Sequence, residues 1–139
     1  MKYIDPRKVP GYRASGRERL AELARFLDAL PGERLTFSRW YGDGVGCAVG
    51  LAAMLEPWFQ AQGLALRHDE NLKECQPVYD GRRDWRAVTA FFDLTQAEAR
   101  ELFAPHGYGE LRPDPRRIAA KIRCHLEATD HAFEAVKIA

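Results

Sequence analysis

The sequence is short of the features that staple or anchor a protein. It has three cysteines, Cys47, Cys75 and Cys124. An odd, widely spaced set argues against a disulfide framework and for reduced thiols in a cytoplasmic protein. Long hydrophobic runs are missing too: the longest, Cys47 to Leu55, is too short to cross a bilayer and stops at Glu56-Pro57. The opening residues, MKYIDPRKVPGYR, contain no apolar stretch of the secretory kind, so neither a leader nor a membrane association is expected. Excess charge is lacking as well. Twenty-one basic residues face 20 acidic ones, a net charge of +1, and no global field draws the molecule to nucleic acid or anionic lipid.

Metal and cofactor motifs are equally scarce. His68, Cys75, His106, Cys124, His125 and His131 form no C-x-x-C and no H-x-x-x-H, and His125 and His131 fall on different sides of a helix. No metal site is expected. The glycine-rich stretch Gly42-Asp-Gly-Val-Gly46 lacks the Lys-Ser/Thr of a phosphate loop, so no nucleotide cofactor is expected either. Its glycines instead let the chain turn tightly into the apolar stretch that begins at Cys47.

The residues that are present read as one helical domain. A length of 139 residues with 46% hydrophobic and 29% charged residues suits a single folded core rather than a disordered or fibrous chain. Residues 1–14, with Pro6, Pro10 and Gly11, read as an extended arm, and 15–139 as the domain. Ser15-Gly-Arg-Glu18 has the form of a capping box, and Leu20, Leu23, Leu27 and Leu30 recur behind it at helical spacing until Pro31-Gly32. Leu35 to Tyr41 is a short aromatic segment, one helical turn or a short strand. Cys47 to Leu55 is apolar on nearly all sides, as in a helix buried in a bundle.

Beyond it, Leu64–Leu66 and Pro77–Tyr79 suggest a small β-hairpin near 64–80, with His68 to Glu74 as a polar excursion. Asp84 is a candidate N-cap for Trp85–Phe92, and Thr95-Gln-Ala-Glu98 is a second capping box. Asp114-Pro115 opens a last helix bearing Ile118, Ile122 and Leu126. The expected fold is mainly α, a compact all-α bundle of about five or six helices.

Three stretches carry a resemblance: Phe37-Ser-Arg-Trp-Tyr41, Gly42-Asp-Gly-Val-Gly-Cys-Ala-Val-Gly50, and Phe91-Phe-Asp-Leu-Thr-Gln-Ala-Glu-Ala-Arg-Glu-Leu-Phe103. Together they resemble a diffuse group of uncharacterised bacterial and phage proteins, over roughly residues 35–126. Many of that group carry Cys-Gly-Thr ahead of a second cysteine, where this chain has Gly42-Asp-Gly44, so only the Cys47 position corresponds. The resemblance implies a helical fold and a bacterial or mobile-element setting. The preference for Arg over Lys points the same way, toward a GC-rich genome.

Function divides into three candidate classes. The leading one is a small non-catalytic interaction protein that binds another macromolecule, most readily a protein. It rests on the abundance of aromatic and Arg residues, among them Trp40, Tyr41 and Tyr108, which suit binding hot spots. The second is a cysteine hydrolase or transferase. Cys47 stands at the first turn of a helix, where backbone N–H groups favour a thiolate, and His106 in a Gly/Pro-rich loop is its natural base. The bland alternative is a small buried thiol that simply packs. The third is nucleic-acid binding through Arg7, Lys8, Arg13, Arg17 and Arg19 near the N-terminus and Arg116, Arg117, Lys121 and Arg123 on the last helix. A solvated helix face is the plain alternative there.

Overall fold

The computed structural model describes residues 11–138, and side-chain surroundings through residue 130. Most of the expected arm, residues 1–10, lies outside the described residues. The described residues form six α-helices: α1 (Gly16–Asp28), α2 (Ala48–Leu55), α3 (Pro57–Ala61), α4 (Trp85–Phe92), α5 (Gln96–Phe103) and α6 (Pro115–Ile138). Five strands accompany them: β1 (Tyr41–Gly42), β2 (Val45–Gly46), β3 (Ala65–Asp69), β4 (Glu74–Tyr79) and β5 (Arg82–Arg83). They form two antiparallel sheets, a β1–β2 hairpin and a three-stranded sheet ordered β3-β4-β5.

The all-α bundle is therefore corrected to a mixed α/β fold, 53% helical and 15% strand. The physical reason lies in two Asp-Gly turns. Asp43-Gly44 and Asp80-Gly81 each place both residues at positive φ, +54° and +80° in one, +50° and +75° in the other. Two consecutive residues of that hand match the right-handed twist of flanking strands and close a two-residue hairpin. The first turn converts the glycine-rich loop into β1–β2. The second adds β5 to β4, so the expected pair of strands becomes three. The polar excursion expected from His68 to Glu74 is shorter, because His68 and Asp69 belong to β3 and Glu74 to β4.

The helices obey local chemistry. Ser15 and Glu18 cap α1 reciprocally, and Thr95 and Glu98 do the same for α5. Each box satisfies two backbone donors that would otherwise be orphaned at the helix start. Leu20, Leu23 and Leu27 of α1 are all but sealed from solvent, with Ile118 and Ile122 of α6 in the same core. Burying such a side chain contributes about 1.5–3 kcal/mol each. Phe59, Phe91, Phe92 and Phe103 fill the centre in edge-on and tilted ring contacts. Arg123 pairs with Asp28 across α1 and α6, and the guanidinium holds the Asp28 carboxyl below its ordinary value.

Asp84 occupies the N-cap position of α4 but does not cap it. Its backbone is at φ 58°, ψ −138°, its side chain bonds no helix N–H, and its Oδ1 is buried without a partner among the described residues. That conformation is comfortable only for glycine, so the residue is held under strain by the sheet on one side and the helix on the other.

Candidate functional site

Cys47 is the N-cap of α2 and only 4% exposed. Burial pushes its thiol up to about 11, and Glu74 adds to the rise, against smaller downward pulls from the Gly50 and Val49 N–H groups. Desolvation thus outweighs the helix-end effect that a nucleophile would need. The thiol borders a small cavity of about 170 Å³ whose walls include Trp40, Glu74, Trp85, Phe103 and Pro105. His106 does not line it. Its ring is 62% exposed, with Nε2 3.6 Å from Glu101 Oε2. No hydrogen bond joins Cys47 to His106; the two groups belong to different surroundings.

The basic residues of α6 are largely engaged inside the protein. Lys121 Nζ donates to the Glu101 and Gly107 carbonyls and to Glu101 Oε1, and lies 4.5 Å from the Tyr108 ring centre. That bond to Lys121 also lowers the Glu101 carboxyl below its ordinary value. Arg117 pairs with Glu110 at 3.0 Å, and Arg123 with Asp28, which leaves Arg116 as the member of this set with no ion pair among the described residues. The N-terminal basic group is likewise dispersed. Arg19 is buried over the Phe91 ring and donates to the Phe91 carbonyl, while Arg17 donates to Leu126 O and Thr129 Oγ1 on α6. Arg7 and Lys8 lie outside the described residues.

The aromatic residues are also turned inward. Trp40 meets Trp85 edge-on at 5.1 Å, and Tyr41 is half-buried against the core. Tyr108 is buried, donates its hydroxyl to Leu102 O, and burial raises that hydroxyl far above its ordinary value. Among the described residues no group of three His, Cys, Asp or Glu converges as metal ligands. Among them, too, no helix is long and apolar enough to cross a membrane.

The open chemistry sits elsewhere, on the three-stranded sheet. Antiparallel pairing places Leu66 opposite Pro77 and His68 opposite Cys75. The Pro77 carbonyl accepts from Asp84 N on the β5 side. In an antiparallel strand a residue's N–H and C=O point the same way, so Pro77 turns away from β3, and Leu66–Pro77 is a non-hydrogen-bonded pair. The N–H and C=O groups of Leu66 and His68 therefore project from the outer edge of β3. No backbone or side-chain group among the described residues bonds to them.

Beside that edge runs a groove of about 520 Å³, lined by Ala53, Met54, Gln60 and residues 63–66. No β4 residue contributes, which puts the groove on the free side of β3. Its lining is mostly apolar, and Met54 (39%) and the adjoining Leu55 (40%) are two of the four large hydrophobic side chains left exposed among the described residues. Across the sheet, Arg67, Arg82 and Arg83 line a second groove of about 690 Å³. Sequence patterns alone did not point to this site. A signal was present in Asp80-Gly-Arg-Arg83, a hairpin turn delivering two arginines to a strand.

Compared with known families, curated proteins and solved structures, the chain matches none.

Proposed function

We propose that the protein is a non-catalytic binding module that takes an extended segment of a partner protein along the outer edge of β3. The observation that supports it is the pair of outward N–H and C=O sets at Leu66 and His68, set beside an apolar groove. Unpaired edge groups are a template for one more strand: main-chain bonds supply affinity, and pockets for alternate side chains supply selectivity. The high thiol of Cys47 and the separate placing of His106 favour this reading over covalent catalysis. The internal pairing of Arg117, Lys121 and Arg123 favours it over a phosphate-binding helix. A bacterial cytoplasm, in a phage or mobile-element setting, suits the three free thiols and the resemblance over residues 35–126.

The test is a random-peptide display selection on the intact protein, followed by an N-methyl scan of the selected peptide. Strand addition predicts that methylation abolishes binding at every second residue and is tolerated between. His68→Pro removes one outward donor without touching the β3–β4 ladder, and it should weaken binding at least tenfold. Selected peptides that bind with no two-residue period, or no selected peptide at all, would refute the reading.

A further inference from the structure

We infer that the segment accepted by β3 alternates apolar and acidic side chains, the acidic ones facing Arg67. This rests on the strand-addition reading and adds to it the chemistry of the partner. Residues directly opposite each other in a sheet share a face. Leu66, Pro77 and Tyr79 lie on one face of the sheet, where Leu66 and Tyr79 pack on the core, and the groove holding Met54 borders that side of β3. Arg67 lies on the other, with Asp69, Glu74, Gln76, Val78 and, one strand further, Arg83. An incoming strand opposite Leu66 and His68 therefore puts the side chain facing Leu66 toward the groove, with the one facing His68 on the same face beyond it. Its intervening residue stands opposite Arg67.

The two acids of the Arg67 face are engaged by backbone groups: Asp69 accepts from the Asn71 and Leu72 N–H groups and Glu74 from the Trp40 N–H. Arg82 is engaged by Asp80 at 2.9 Å, whereas Arg67 and Arg83 form no ion pair with any described acid. Both are exposed and line one groove. Neighbouring strands lie about 4.8 Å apart, so Arg67 can reach a carboxylate on the added strand directly. Arg83 sits two strands further in and contributes to the field rather than to a contact. A carboxylate opposite Arg67 gains a cross-strand pair; a lysine there meets a like charge. The apolar half of the pattern comes from Met54 and Leu66, which cover an apolar side chain and offer nothing to a charged one.

The experiment uses three capped heptapeptides of alternating Val-Glu, Val-Thr and Val-Lys, labelled for fluorescence anisotropy against the intact protein. Val-Glu should bind on the order of tenfold more tightly than Val-Lys, with Val-Thr between, and the spread should shrink in high salt. Arg67→Glu, an exposed substitution, should reverse the order. Equal binding of all three with a two-residue N-methyl period would sink the charge preference and leave strand addition standing. No binding and no period would sink both. A single-stranded oligonucleotide that binds more tightly than Val-Glu would overturn the inference. So would a homodimer in sedimentation that the peptide cannot dissociate, because β3 would then be covered by a second copy.

Discussion

The two ends of α2 make an instructive contrast. At its N-terminus Cys47 is 4% exposed, and Gly46 and Gly50 press against the Trp40 carbonyl so closely that neither has room for a Cβ. At its C-terminus Met54 and Leu55 are open to solvent beside β3. The helix is apolar throughout, so composition alone makes both ends look buried. The neighbouring strand separates them: β1–β2 closes over one end, whereas β3 ends the sheet at the other and leaves its last backbone groups unpaired among the described residues.

The largest effect expected from breaking the contrast is at Gly50. Alanine is the better helix former by up to about 1 kcal/mol. A methyl there would collide with the Trp40 backbone, which cannot swing aside as a side chain could. Gly50→Ala should therefore cost about 2–3 kcal/mol of unfolding free energy in urea titrations. A neutral substitution would show that the sealed end is loose.

Next comes pH. The fold holds the neutral Cys47 thiol, raising its value from 9.0 to about 11. Because the folded value lies above the unfolded one, the stabilisation is complete below the unfolded value. It is lost as pH climbs through the folded one. Between pH 9 and 11 stability should fall by about 2 kcal/mol more than in Cys47→Ala, an order-of-magnitude figure from the two-unit shift. Identical slopes for the two proteins would show that the thiol is not sealed.

The smallest effect belongs to the open end. Met54→Gln should change stability by no more than about 0.5 kcal/mol while weakening peptides that use the groove. A loss several times larger would mean that this end is core.

Legibility in the sequence divides along the same line. Both capping boxes could be read directly, because each is a local exchange of hydrogen bonds within four residues. The leucine stripe of α1 was equally plain. The sheet was not, since its strands are too short for alternation to show and its register depends on partners distant in the chain. Asp43-Gly44 and Asp80-Gly81 carried the missing information, and reading the first only as a tight entry to the apolar stretch hid β1–β2. Asp84 misled in the opposite way: a residue type that favours helix starts sits at one, but strained and uncapped. Of the candidate site, the place of Cys47 at a helix start was readable from the glycines before it and the apolar run after it. Its desolvation depends on Trp40, Glu74 and Trp85 meeting around it, which no linear pattern reveals. The binding edge was invisible for a related reason, because an unpaired strand is defined by what fails to lie beside it.

The pairing of α1 with α6 also bears on how the chain reaches this state. Arg17 bonds to Thr129 across a separation of 112 residues, and Arg123 bonds to Asp28 across 95. On the ribosome α1 emerges long before the helix that covers its leucines, and closing so long a loop adds entropic cost before any contact rewards it. Until α6 arrives, Leu20, Leu23 and Leu27 have only part of their cover. Synthesis, rather than the chemistry of any one residue, sets when this core can close, and the interval before then is when chaperones have the most exposed surface to hold.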